Sequence, residues 1–112
     1  MSNYIPDSGD LVWLEFDPQV GHEQKGRRPA LVITPVSYND KVGLMLCCPI
    51  TTKAKGYPFE VEVISKEVSG VVLSDQVKSL DWRVRRAEPA GKVSTKTLES
   101  VKSKLQLLMG IG

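Results

Sequence analysis

The sequence predicts a mainly β protein closed by one C-terminal helix, built as a small, strongly bent antiparallel sheet or barrel. Two observations predict it. The first two thirds of the chain fall into short runs rich in β-branched, leucine and aromatic residues, most of them bounded by Pro, Gly or Asp-Pro signals. The end of the chain instead carries Leu98, Val101, Leu105 and Leu108 at spacings of 3, 4 and 3, one stripe of a helix. At 112 residues the chain suits one core, so a single domain over 1–112 is expected.

Taken in order, Asp10 to Phe16 is a short β-rich run closed by Asp17-Pro18. Ala30 to Thr34 is the second strand, stopped by Pro35. Val42 to Pro49 is the third, with Val42, Leu44, Leu46 and Cys48 on one face. Phe59 to Ile64 alternates apolar and acidic residues over its first five positions, the pattern of a half-exposed strand. Ser69 to Leu73 begins another, and Val77 to Trp82 continues it past a bend. The closing helix has Ser94 as its N-cap and Gly110 as its stop.

Composition narrows the function. Hydrophobic residues make up 41% of the chain, enough for a packed core, which excludes a disordered polymer. The net charge is only +2, so any nucleic-acid binding must come from local clusters of Lys and Arg. No apolar run approaches the ~20 residues of a membrane span. Met1 to Asp7 shows neither a basic nor an apolar leader region, and a cytoplasmic location is expected. Cys47 and Cys48 are adjacent, so on a strand they point to opposite faces and read as small buried thiols. With His22 the only histidine and no CxxC pair, neither a metal site nor a cofactor is expected.

The stretch with most chemistry is His22-Glu23-Gln24-Lys25-Gly26-Arg27-Arg28-Pro29, directly before the apolar run Ala30-Leu31-Val32-Ile33. Read alone it is either a polar hairpin loop or a clamp for a phosphate, since guanidinium stays charged and donates in a fixed fork. The wider pattern weighs on that choice. Gly9-Asp10-Leu11-Val12-Trp13, Asp17-Pro18, Gly21-His22-Glu23-Gln24 and Arg28-Pro29-Ala30-Leu31-Val32 resemble the opening of the MazF/PemK toxin family. So do Pro49-Ile50-Thr51-Thr52, Gly56-Tyr57-Pro58-Phe59-Glu60-Val61 and the run from Gly70 to Ser79. The likeness runs in order from about Tyr4 to Leu108. It is nearest to the chromosomal MazF branch, through the Lys55–Phe59 and Asp75–Ser79 segments.

The resemblance implies an SH3-like barrel of the MazF, Kid and CcdB kind, acting as a homodimeric toxin of a type II toxin–antitoxin system. It implies sequence-specific, metal-independent cleavage of single-stranded RNA, chiefly mRNA. It implies a MazE-like antitoxin whose extended acidic tail covers the RNA site, with operator DNA bound only through the toxin–antitoxin complex. It places Arg28 and Thr51 at the catalytic positions. Metal-free cleavage most simply uses the RNA's own 2′-OH, so the enzyme must take that proton, stabilise the phosphorane-like charge and protonate the leaving oxygen.

Around that pair, Glu23 reads as the base, as a partner holding Arg28, or as a solvated loop carboxylate. His22 and Asp75 match residues of the Kid/PemK branch, but that branch has an arginine where this chain has Leu73. The Kid-type set is therefore broken, and His22 is expected as an auxiliary base, an RNA contact or an exposed loop residue. Gln24, Lys25, Arg27, Lys53, Lys55, Asp75, Gln76 and Lys78 are the candidates for RNA binding. Tyr57 and Phe59 are candidates for base stacking, with core packing the alternative for Phe59. Trp13 and Trp82 read as core or dimer contacts, and the basic run Arg83 to Ala87 as dimer seam or RNA contact.

Two other functions compete. One is a CcdB-like toxin that binds gyrase without cutting RNA; the absence of a tryptophan in the last helix and the presence of Arg28 and Thr51 weigh against it. The other is a regulatory relative that binds antitoxin and operator without cleavage, against which Glu23, Arg28 and Thr51 all stand.

Overall fold

Strand β3 organises this molecule because it exchanges neighbours along its length. The computed structural model describes residues 3–16 and 27–111. They form β1 (Asp10–Leu14), β2 (Arg28–Val32), α1 (Val36–Val42), β3 (Leu44–Thr51), β4 (Glu60–Ile64), β5 (Ser69–Leu73), a 3₁₀ turn (Ser74–Gln76), β6 (Lys78–Asp81), β7 (Glu88–Lys92) and α2 (Thr95–Leu108). The sheet runs β4-β5-β3-β2-β1-β7, with β6 also on β3, and the pairs are antiparallel. On one side β3 keeps β2. On the other it pairs first with β6, from Leu44 to Cys47, and then with β5, at Ile50 and Thr51. Such a change of neighbour needs a curled sheet, as expected.

Both faces of the curl are buried. Leu11, Leu31, Cys48, Ile50, Val61, Val63 and Val72 form one core with Val101 and Leu105 of α2. Val12, Leu14, Ala30, Val32, Met45, Cys47 and Trp82 form the other, flanked by Tyr4, Ile5 and Phe16. Adjacent residues of β1, β2 and β3 therefore enter opposite cores. The two thiols follow this rule: Cys47 and Cys48 are free, fully buried and on different faces. Burial pushes both thiols up to about 12.

The closing helix forms as its sequence predicts. Ser94 caps it by accepting from the Thr97 amide at 3.1 Å, and past its end Gly110 takes φ +76°. Val101 and Leu105 are buried, whereas Leu108 at the end of the stripe is exposed. In β4, Val61 and Val63 face in and Glu62 and Ile64 face out.

Two elements differ from the sequence reading. Val42 does not start a strand; it ends α1, and Gly43 at φ +83° closes that helix. The apolar face expected for β3 is buried only at Cys48; Leu46 on it is exposed, while Met45 and Cys47 on the opposite face are buried. Seven residues cannot sustain a helix by propensity. Here Asn39, fully buried, donates to the Pro6 carbonyl at 2.7 Å and the Thr34 carbonyl at 2.9 Å, and accepts from the Thr34 hydroxyl at 2.7 Å. The unexpected β7 is an edge strand, Glu-Pro-Ala-Gly-Lys, with only Ala90 buried. It lacks the apolar alternation that marks a strand in sequence. Among the described residues no helix is long and apolar enough to cross a membrane.

Candidate active site

The site is built where β2 begins and β3 ends. Those strands pair Ala30 with Pro49, Leu31 with Cys48 and Val32 with Cys47. Arg28 opens β2 and Thr51 closes β3, each two residues beyond the Ala30–Pro49 pair. Side-chain alternation puts both on the face of Ala30, Val32, Met45 and Cys47, and Leu14, opposite Arg28 on β1, belongs to that core too. The second core thus runs out at this edge, and polar side chains take over. Arg28 is exposed, and among the described residues its guanidinium makes no hydrogen bond or ion pair.

Thr51 is half-buried, and its hydroxyl oxygen accepts from the Lys53 amide at 3.1 Å. That local turn orients the hydroxyl while leaving its proton free to donate. The loop that follows is tied down by Glu60, whose carboxylate accepts from the amides of Lys55 and Gly56 at 3.0–3.2 Å. Lys53, Lys55 and Tyr57 are exposed on it, and the Tyr57 and Phe59 rings pack at 5.3 Å. On the other side of β3 the 3₁₀ turn bridges β5 and β6. It presents Asp75 and Gln76, both exposed, and Lys78 follows, paired with Cys47. β3 thus carries Thr51 and borders β2 with Arg28, the loop with Lys53 and Lys55, and β6 with Lys78.

Arg27 has a different setting. Its guanidinium donates to the Trp13 carbonyl at 3.1 Å and to the Arg86 carbonyl, and lies 3.6 Å from Glu15 and 3.4 Å from Glu88. Arg85 donates to the carbonyls of Glu15, at 3.0 Å, and Phe16. The basic run after Trp82 therefore forms a turn that holds the end of β1, and Arg83 stacks 4.7 Å over the Trp82 ring. Sequence reasoning noted Arg85 without assigning it, and missed Glu60 as a loop anchor. Neither carries a local signal, since both act on backbone groups brought close by folding. His22, Glu23, Gln24 and Lys25 lie outside the described residues.

A model of the "PemK-like, MazF-like toxin of type II toxin-antitoxin system" family matches residues 7–109. The chain belongs to this family. It is 51% identical over 110 residues to the endoribonuclease toxin MazF of Escherichia coli K12, covering 98% of this chain and 99% of that one. It is 34% identical to the endoribonuclease toxin ChpB of the same strain, over 92% of this chain and 93% of that one. The family fold is also the observed fold. A MazE–MazF crystal structure from Deinococcus radiodurans superposes with a TM-score of 0.88 at 50% identity, covering 98% of this chain and 100% of that one. The family's endoribonucleases, like this chain, present a curled sheet with one closing helix.

Proposed function

We propose that this toxin is a metal-independent endoribonuclease that cuts single-stranded RNA, chiefly mRNA, at short sequence motifs. One observation carries the reading: an exposed Arg28, without a partner among the described residues, opens β2 two residues beyond Ala30, as Thr51 closes β3 two residues beyond its partner Pro49. Identity of 51% to an endoribonuclease over nearly the whole chain supports cleavage over gyrase binding or a purely regulatory role.

The substrate's 2′-OH attacks the adjacent phosphorus, the P–O5′ bond breaks, and a 2′,3′-cyclic phosphate and a 5′-hydroxyl result. Arg28, always charged, stabilises the phosphorane-like transition state, and Thr51 donates its free proton to a non-bridging oxygen. Glu23 or His22 accepts the 2′-OH proton, and the leaving oxygen is protonated in turn. Lys53, Lys55, Gln76 and Lys78 line the path of the RNA backbone on either side of β3, with Asp75 beside them, and Gln24 and Lys25 are further RNA contacts.

The partners follow from the same reading. An acidic, extended antitoxin tail fits a basic strand-lined track and would bring operator DNA to the toxin only as a complex. A crystal structure of a MazE–MazF pair from a relative supports an antitoxin partner. The apolar end of α2, with Leu107, Leu108, Met109 and Ile111 exposed, supports a homodimer. The cytoplasm, where mRNA is translated, is the place of action.

The test is a gel of long single-stranded RNA incubated with the protein in EDTA, beside Arg28→Ala. Discrete fragments from the parent chain alone are expected. Intact RNA with folded protein, or equal cleavage by the variant, would overturn the assignment.

A further inference from the structure

Thr51 is approached from β5 more closely than any side chain would permit. It pairs with Val71, and the preceding residue, Gly70, takes φ +152°. A Cβ on Gly70 would stand 2.4 Å from the Thr51 carbonyl oxygen, 3.0 Å from its carbonyl carbon and 3.3 Å from Ile50 Cγ2. The two nearest atoms are backbone, so no change of rotamer relieves the collision. Nor can Gly70 simply retreat, because it is paired with Val63 of β4 on its other side. Strand-interior glycine of this kind marks a place where another backbone comes close.

The close approach falls where β3 leaves β6 and takes up β5, so β5 borders that side of Thr51. The distance from β5 to the Thr51 backbone therefore sets where the Thr51 hydroxyl stands at the end of β3. We infer that the Gly70–Val71 step of β5 is the positioning element of this active site, holding the Thr51 hydroxyl in reach of the phosphate that Arg28 binds. The inference rests on the assignment of Thr51 to catalysis.

Gly70→Ala should move Thr51 and lower kcat by roughly 10- to 100-fold, the cost of a misplacement near 1 Å, with KM for RNA within about twofold. Gly91→Ala is the control. It imposes a Cβ at φ +117° with its nearest neighbour, Leu11 Cδ1, at 3.9 Å, and should cleave at the parent rate. The decisive readout is a double-mutant cycle: in a Thr51→Ala background, Gly70→Ala should cause no further loss. An equal fold-loss in both backgrounds, or a parent-like kcat for folded Gly70→Ala, would overturn the inference. Thr51→Ala cutting at the parent rate would instead sink the assignment of Thr51 itself, and the inference with it. If Gly70→Ala does not fold, Val71→Ala, directly opposite Thr51, takes its place in the same cycle with the same two outcomes.

Discussion

Arg27 and Arg28 are sequence neighbours with opposite environments. The Arg27 guanidinium is bound to the Trp13 and Arg86 carbonyls between Glu15 and Glu88, whereas Arg28 is exposed and its guanidinium is unpaired among the described residues. One holds the end of β1 to the turn before β7; the other is exposed at the start of β2. Arg27→Ala should therefore cost about 1.5–3 kcal/mol of stability, the range for hydrogen bonds to a charged group. Arg28→Ala should stay within about 0.5 kcal/mol of the parent while losing cleavage. Urea denaturation beside an RNA-cleavage assay separates the two. The reverse assignment of losses would show that Arg27 is the substrate-facing arginine.

Asn39 joins three parts of the chain. Its amide bonds Pro6 and Thr34, and its backbone carbonyl accepts from the Trp82 indole at 2.9 Å. Asn39→Ala leaves the side-chain partners unsatisfied in a buried place and should cost on the order of 2–3 kcal/mol. Asn39→Asp should be worse at neutral pH, since it aims a carboxylate at two carbonyl oxygens. Acid should narrow its deficit, because protonation removes that repulsion. An Asn39→Asp midpoint in urea equal to the parent's at pH 7 would refute the account.

The alkaline side of the stability profile is set by buried groups. Burial first, then its hydrogen bond to Asp10 at 2.6 Å, raises the Tyr4 phenol above its ordinary value of 10.0. Burial lifts Cys47 and Cys48 from 9.0 to about 12. A group whose folded pKa is raised lends stability that is whole below its unfolded value and drains as pH rises towards the folded one. Melting temperature should therefore fall from about pH 9 upward, as the thiols and then the phenol ionise more readily in the unfolded chain. Lys92, raised chiefly by its 2.5 Å hydrogen bond to Asp10, acts in the same direction above 10.5, weakly because it is mostly exposed. Tyr4→Phe should flatten the decline above about pH 10. An unchanged decline in that variant would remove Tyr4 from the explanation.

The Cys47 and Cys48 thiols should also be inert in the native protein. A thiol-reactive dye at pH 8 should label neither until denaturant is added, when both react, since attack needs exposed thiolate. Rapid native labelling at the rate of a free thiol would contradict their burial.

Ser74 carries a fully buried hydroxyl oxygen with no hydrogen-bond partner among the described residues. Removing a desolvated group that gains nothing in return should stabilise. Ser74→Ala is expected to add about 1 kcal/mol and raise the melting temperature by roughly 4 °C. A lower melting temperature would mean that the hydroxyl has a partner in solution.

Much of this protein is written in local pattern. The alternation of Val61 and Val63 with acidic neighbours places β4, and Ser94 with Gly110 bounds α2, because period and capping depend only on nearby residues. The ordered motifs around Arg28 and Thr51 are local in the same sense. Tertiary structure decided the rest. α1 exists because Asn39 finds Pro6 and Trp82 across the fold, and β7 because β1 offers it an edge. Arg27 turns inward and Arg28 outward only once β1 and the turn after β6 supply the Trp13 and Arg86 carbonyls to one of them. Gly70 reads as one more glycine until β5 meets Thr51. Propensity and periodicity act over a few residues, whereas burial, close backbone approach and pairing of charges act between segments that only folding brings together.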